Sequence, residues 1–520
     1  MLNRNNRPSC LKLIFLFVFL RMVLNLFALQ HYGFQRDELL HIALGDHLDW
    51  GFKEVPPFIA FIAKIQTNFL GTYLFATRVF TTLASGLIIL MTGLLTMEFG
   101  GRKFAISIAC LSLMLSPAFL ASGYLFQPVV FDQLWWLLSA YFLVKYFNSS
   151  KAKYLYFLGL AIGLGMLTKY TMAFFTLALV TGILLTKQRE IFARKDIWIA
   201  VFIGVAVFMP NIIWQVNHHL PLVTHMNKLR NSMLEYIKPT DFMLQQLLVN
   251  GAAIWVWLAG LCFLLFTERF IKYRFLGYAY LVTLVLFLLL HGKIYYLFGA
   301  YPMLFAAGGF AFEYWIGVRK KALRIVAIVF FTLPNLLFLP LALPVLRVDQ
   351  ALPVFDFISQ KLKIDFPFKW EDQKVHQLTQ DYSDMLGWDE LYLQVAATYK
   401  DLTPEQRAQT IIFANNYGEA GAIHHYGYVY SLPDVVSLNS SFALWAPENI
   451  TAKYIIYIDA TGGRNTAELL KNGFIGGYKK TGEINNPLAR ERGTAVFLLT
   501  DLKPTLNEHY REELLKTRRE

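Results

Sequence analysis

Eleven mainly apolar runs dominate the first two thirds of the chain, near residues 11–29, 72–96, 104–120, 132–147, 154–168, 171–186, 197–214, 247–266, 275–290, 295–315 and 322–343. A helical membrane span needs about 20 such residues. Hydrocarbon offers no partner to backbone N–H and C=O groups, so segments of this kind fold as helices that close their own hydrogen bonds. The fifth and sixth runs are short and meet at Thr168-Lys169-Tyr170-Thr171. They form either a hairpin that does not fully cross or one long broken helix. Composition points the same way, with 56% hydrophobic residues, 16% charged residues and a mean hydropathy of +0.42. Soluble domains carry about 25% charged residues. The run at 11–29 is too long for the apolar region of a signal peptide, and no small-residue cleavage site follows it, so a retained first span is expected.

The formal net charge of +12 does not form a nucleic-acid patch. Its cations sit in alternate gaps between apolar runs: Arg4, Arg7 and Lys12; Arg102 and Lys103; Lys145, Lys151 and Lys153; Lys187, Arg189, Arg194 and Lys195; Arg269, Lys272 and Arg274; Arg319, Lys320, Lys321 and Arg324. Lys and Arg accumulate on the cytoplasmic side of spans. The alternation therefore predicts a cytoplasmic N-terminus. It places the 30–71 loop, the 118–131 loop, Lys169, the 215–246 loop, the 291–296 turn and the C-terminal part outside. Cys10, Cys110 and Cys262 each lie in or beside an apolar run without metal-ligand spacing, so neither a disulfide nor a zinc–thiolate site is expected.

Composition changes after residue 346. Charge rises and apolar runs shorten. Strand-like segments at 410–415, 453–460 and 495–502 alternate with helical segments near 418–426 and 467–472. That order predicts a soluble α/β domain over 346–520, following a membrane domain over 1–345 that includes the loop 30–71. Gly462-Gly463 reads as a turn rather than a phosphate cradle.

Chemistry concentrates just after the first run, in residues 35–58, QRDELLHIALGDHLDWGFKEVPPF. From 37 to 49 the pattern fits an amphipathic helix with Leu40, Ala43, Leu44 and Leu48 on one stripe and Asp37, His41 and Asp46 elsewhere. Further ionisable groups fall at membrane depth: Arg21, Arg78, Asp132, Lys169 and Lys293. Such groups are costly there and usually functional. The bland alternative for Arg78, Lys169 and Lys293 is snorkelling to the interface, which an Asp such as Asp132 does poorly. By the predicted topology, all but Arg21 converge on the outer face with Asp37, Glu38 and Glu54. Acidic and basic groups together suit transfer from a lipid-linked phosphate. A carboxylate can take the proton of an acceptor, and cations can hold the leaving phosphate.

These residues resemble a known family. The first loop is similar to that of the bacterial GT-C glycosyltransferases of the protein O-mannosyltransferase-like superfamily, which includes dolichyl-phosphate-mannose-protein mannosyltransferases and the aminoarabinose transferases that modify lipid A. FQPVVFDQLWW (126–136), GLGMLTKYTMAF (163–174), HGKIYYLFGAYPMLFAAG (291–308), NNYGEAGAIHHYG (415–427) and SLNSSFALWAP (437–447) agree as well. The resemblance implies a GT-C fold of about eleven spans and a polyprenyl-phosphate-sugar donor in a bacterial plasma (inner) membrane. It puts the catalytic base on Asp37, with Glu38 completing the acidic pair. It puts donor-phosphate or substrate binding on Glu54, Arg78, Asp132, Lys169 and Lys293, with the paired tyrosines Tyr295 and Tyr296 beside the last. Aminoarabinose transferases carry Lys where this chain has Val55, which leaves more of the phosphate to Lys169, Arg78 and Lys293. Glu419, His424 and His425 are candidates for acceptor contact or for local helix packing.

The expected activity is transfer of a sugar from a polyprenyl phosphate to a protein or glycolipid acceptor, with inversion at the sugar carbon. A modified sugar moved to a glycolipid such as lipid A is the variant within the same class. A secondary transporter or lipid flippase is the rival from another class. Against transport stand an acidic cluster outside the mid-bilayer, the lack of paired Gly/Pro-broken segments and the large soluble part. The carboxylates leave a divalent cation open, but three on separate segments are not a ligand motif.

Overall fold

The computed structural model describes residues 7–29, 31–232 and 238–519. Arg4 of the first basic group lies outside the described residues. The chain divides into two compact units, each assembled from segments distant in sequence. The first comprises Met1–Gln30, Arg78–Ile213 and Lys228–Val345; the second comprises His31–Thr77, Trp214–Asn227 and Leu346–Glu520.

The first unit is helical. By length and composition, five described helices can cross a membrane: Arg7–Phe27, Leu74–Glu98, Lys195–Asn217, Glu268–Leu289 and Ile294–Ile316. Two bent pairs would raise the count to seven, Thr171–Leu184 with Lys187–Ala193 at 110° and Pro239–Leu248 with Gly251–Phe266 at 97°. Other apolar runs fold as shorter helices. The run at 104–120 breaks at Ser116-Pro117 into Lys103–Leu115 and Pro117–Ser122, because proline cannot donate a helical hydrogen bond. The fifth and sixth runs become separate helices, Lys153–Met166 and Thr171–Leu184, on either side of Lys169.

The helix Tyr301–Ile316 is buried along most of its length, whereas Phe15, Phe19, Trp198 and Phe202 on other helices stand exposed as a lipid-facing surface would. Small residues allow the central contacts. A Cβ at Gly260 would collide with the Leu304 carbonyl, and one at Gly308 with the Val256 carbonyl. Close backbone approach of this kind is how helices gain packing energy where no hydrophobic force separates them from lipid. Arg21, inside the first helix, is buried and donates to the Phe119 carbonyl at 2.6 Å.

The second unit contains a five-stranded mixed sheet. Its strands are β1 (Thr410–Ala414), β2 (Val435–Val436), β3 (Tyr454–Asp459), β4 (Ile475–Glu483) and β5 (Ala495–Leu502), in the order β2-β1-β3-β5-β4. β1 runs parallel to β2 and β3, and β5 runs antiparallel to β3 and β4. The three expected strands are β1, β3 and β5. β2 and the edge strand β4 were not expected, and neither were the helices Trp388–Lys400 and Pro504–Arg519. Gly462 and Gly463 have φ of 71° and 115° and form the turn after β3.

The loop after the first span groups with this unit rather than with the membrane helices. Leu39, Leu40, Ile42, Ala43, Leu44 and Phe52 share one core with Trp388, Leu391, Ile412, Ile423 and Ile456. The helix that carries them is Arg36–Asp46, shorter than the expected 37–49. It is also not amphipathic, since every residue from Glu38 to Gly45 is buried, His41 included, while Leu48 beyond its end is exposed. An isolated interfacial helix would keep a wet face. This one is enclosed by Phe58–Leu70 and by Tyr417–Gly427, and a Cβ at Gly421 would lie 2.9 Å from the Leu39 Cβ.

Candidate active site

The expected site residues fall into two sets, one within each unit.

In the helical unit, Asp132 lies one turn into the helix Pro128–Ser149 and is buried. Both its oxygens are engaged: Oδ1 accepts from Trp136 Nε1 at 2.9 Å and Oδ2 from the Thr171 hydroxyl at 2.8 Å. Lys169 occupies the break between Lys153–Met166 and Thr171–Leu184. Its Nζ lies 4.4 Å from the Tyr295 ring centroid and 5.1 Å from that of Tyr296. Asp132 and Lys293 are its charged neighbours. An ammonium over aromatic faces is held by the ring quadrupoles and keeps its charge at a fixed point. Lys293 precedes the short helix Ile294–Ala300, which supplies both tyrosines. The structure thus brings Asp132, Lys169, Lys293, Tyr295 and Tyr296 together. Arg78 is also buried, with its guanidinium carbon 5.4 Å from the Tyr124 ring centroid.

In the second unit, Gln35 caps the helix Arg36–Asp46. Its Oε1 accepts from the Asp37 N–H at 2.7 Å, and Glu38 Oε2 accepts from the Gln35 N–H at 2.8 Å. This reciprocal capping box fixes the first turn. Glu38 is fully buried in it, whereas Asp37 is half-buried. The Tyr417 hydroxyl donates to Asp37 Oδ1 at 2.8 Å. The Arg36 guanidinium carbon lies 4.4 Å from the Tyr417 ring centroid, and Arg36 pairs with Glu491 at 3.4 Å. Arg490 Nη1 donates to both oxygens of Asp384 at 3.2 Å. Burial pushes Asp384 up to about 7 against this pairing. Burial, followed by the charge of Asp37, pushes Asp381 up to about 6. Burial and Asp37 also hold the Tyr417 hydroxyl well above the ordinary phenol range, so it remains a donor.

Glu54 is tied to Ser441. Its Oε1 accepts the Ser441 N–H at 2.8 Å, and its Oε2 accepts the Ser441 hydroxyl. The three acceptor candidates of the C-terminal part have packing partners. Glu419 is buried and caps Tyr417–Gly427 with Asn416. His424 Nε2 meets Asp46 Oδ2 at 3.0 Å on the rim of a pocket of about 320 Å³. His425 packs on Phe34 at 4.4 Å between ring centroids, and burial pushes it down to about 4. Among the described residues, no three of His, Cys, Asp and Glu converge as metal ligands would.

Sequence reasoning missed Tyr417, Asp384, Arg490, Trp136 and Thr171. Tyr417 had a local signal, because Asn416 followed by Glu419 marks a helix start and fixes which face Tyr417 presents. Asp384 and Arg490 had none.

The fold is that of the GT-C membrane proteins. Residues 54–214 match the family described as dolichyl-phosphate-mannose-protein mannosyltransferase. The structure is similar to ArnT from Cupriavidus metallidurans bound to undecaprenyl phosphate, with a TM-score of 0.62 at 13% identity over 94% of this chain and 97% of that one. The apo form of the same protein gives a TM-score of 0.59 at 12% identity over the same shares. In sequence, the chain is 26% identical over 198 residues to the lipid A galacturonosyltransferase RgtD of Rhizobium johnstonii. That match spans 36% of this chain and 40% of the relative's length.

Proposed function

We propose that this protein is an integral-membrane glycosyltransferase that moves one sugar from a polyprenyl-phosphate carrier to an acceptor on the extracytoplasmic side. The observation that carries this reading is Lys169, a cation held over two tyrosine rings beside Asp132 and Lys293 within a membrane-type helical unit. Such an arrangement suits the phosphate of a lipid carrier whose tail runs along apolar helices.

The roles follow from the chemistry. Asp37 takes the proton of an acceptor hydroxyl or amine. The freed electron pair attacks the sugar carbon, the bond from that carbon to the phosphate oxygen breaks, and the polyprenyl phosphate leaves with the electron pair. Direct displacement inverts the sugar carbon. Lys169, Lys293 and Arg78 offset charge on the departing phosphate. Asp132 fixes Thr171 and Trp136 around Lys169. Glu38 and Glu54 hold the first loop in shape. The eleven-span topology with an internal N-terminus and an external C-terminal part belongs to the same proposal, supported by the alternating Lys/Arg gaps.

The similarity to a lipid A galacturonosyltransferase favours a glycolipid acceptor over a protein one. The test is turnover in detergent of undecaprenyl-phosphate-linked mannose and of undecaprenyl-phosphate-linked galacturonic acid, read as release of undecaprenyl phosphate with lipid A or a peptide as acceptor. Turnover of either sugar supports the reading. Release from neither donor, together with solute or lipid movement in sealed proteoliposomes, would sink it in favour of a transporter.

A further inference from the structure

We infer that Tyr417 is a positioning residue for Asp37, so that the C-terminal part of the chain completes the base. The inference deepens the proposed function and rests on its assignment of Asp37. The Tyr417 hydroxyl donates to Asp37 Oδ1 at 2.8 Å across 380 residues of sequence. Nothing local requires this contact. The helix Arg36–Asp46 already has its cap from Gln35, and the helix Tyr417–Gly427 has its own from Asn416. The bond instead fixes the rotamer of a half-buried carboxylate whose backbone is held by the capping box.

The tyrosine is held in turn. Arg36 covers its ring at 4.4 Å, and the Tyr417 N–H donates to Asn439 Oδ1 at 3.2 Å. A base must aim one oxygen at its substrate. By holding Oδ1, Tyr417 sets the direction in which the carboxylate is presented. A hydrogen bond to the charged form of a carboxylate also favours that form. The charged and titratable groups around the pair are Arg36 and Glu38 on the same helix, Asp381 and Asp384 from the segment before Trp388–Lys400, and Glu371, Arg490 and Glu491. Glu38, Asp381, Asp384, Glu371 and Glu491 are carboxyl groups. Tyr417 donates to Asp37 without adding a competing charge, and Arg36, over the Tyr417 ring, offsets the negative surroundings.

Tyr417→Phe removes the hydroxyl and keeps the ring that Arg36 covers. It should lower kcat about ten- to a hundredfold, the range for losing one hydrogen bond to a charged group, with the donor KM unchanged. The acid limb of the pH–rate profile should move to higher pH. A second measurement needs no turnover. Water-soluble carbodiimide with glycine ethyl ester labels protonated carboxyls, and peptide mass spectrometry reads each site. At pH 6, Asp37 should label several-fold faster in Tyr417→Phe than in the wild type, while Asp46 on the same helix labels at an unchanged rate. Equal Asp37 labelling in the two proteins overturns the inference, as does a Tyr417→Phe enzyme with wild-type kcat and pH profile. Asp37→Asn with full turnover overturns the assignment of the base instead, and leaves the labelling result to stand on its own.

Discussion

Glu54 spends both carboxylate oxygens on Ser441, one on its backbone N–H at 2.8 Å and one on its hydroxyl. The Lys53 N–H in turn donates to the Ser441 hydroxyl at 3.0 Å. The acidic residue before Pro56-Pro57 is thus a clasp between the first loop and residue 441. Glu54→Ala strands the serine donors, at a cost of about 1–3 kcal/mol. The measurement is thermal melting in detergent. Glu54→Gln should lose less, because its carbonyl oxygen still accepts one of the two bonds. An unchanged melting temperature for Glu54→Ala would remove the clasp.

Asp37→Asn should lower kcat about 10²- to 10⁴-fold with donor binding retained, the usual contribution of a positioned base. Glu38→Gln should lose far less than Asp37→Asn, since the amide oxygen can still accept the Gln35 N–H that Glu38 accepts now. Kinetics of the two purified variants decide between them. Inactive Glu38→Gln beside active Asp37→Asn would move the base one residue along the helix.

Lys169→Met keeps an unbranched apolar stem against Tyr295 and Tyr296 and removes the charge. Binding of undecaprenyl phosphate in nanodiscs should weaken about 10- to 100-fold, the range for one hydrogen bond to a charged group. Tyr295→Phe should lose far less, because the ring face remains. Equal affinity for Lys169→Met would reduce Lys169 to an interfacial anchor.

His425 gives the second unit a pH dependence of definite sign. Burial against Phe34 favours the neutral ring and pushes the group down to about 4 from its ordinary 6.5. Above pH 6.5 both folded and unfolded chains hold it neutral. As pH falls from 6.5 to about 4, the unfolded chain takes a proton that the folded one refuses, so stability drops by at most about 1.4 kcal/mol per pH unit. His425→Phe should flatten this part of a melting-temperature profile. An identical acid slope in the variant would assign the loss to other groups.

A cysteine placed at Lys471, exposed at the end of the helix Arg464–Lys471, should react with an impermeant thiol reagent in cells whose outer membrane is permeabilised. Protection until the inner membrane is lysed would reverse the proposed orientation.

What the sequence disclosed was what depends on near neighbours. Apolar runs report helices, and β-rich stretches such as TIIFA report β1, because each pattern lies within its own element. The edge strand β4 escaped notice because IGGYKKTGE is glycine-rich and mostly solvated, so no alternation marks it. His41 was assigned to a wet face because nothing within ten residues shows that Tyr417–Gly427 will close over that helix. The candidate residues Asp132, Lys169 and Lys293 stood out because charge is rare in apolar sequence. Their partners Trp136 and Thr171 are ordinary there and did not.

The second unit also imposes an order on synthesis. The helix Arg36–Asp46 is made early, yet its enclosing partners Ile412, Ile423 and Ile456 come nearly 400 residues later. At about 5–20 residues per second, the ribosome needs about 20–80 s to reach them. Throughout that interval Leu39, Leu40, Ile42 and Leu44 have left the ribosome without the strands that will cover them. In that interval, and in any chain that stops before residue 410, only the early helix Phe58–Leu70 covers it, and the apolar face that the later strands cover stays open.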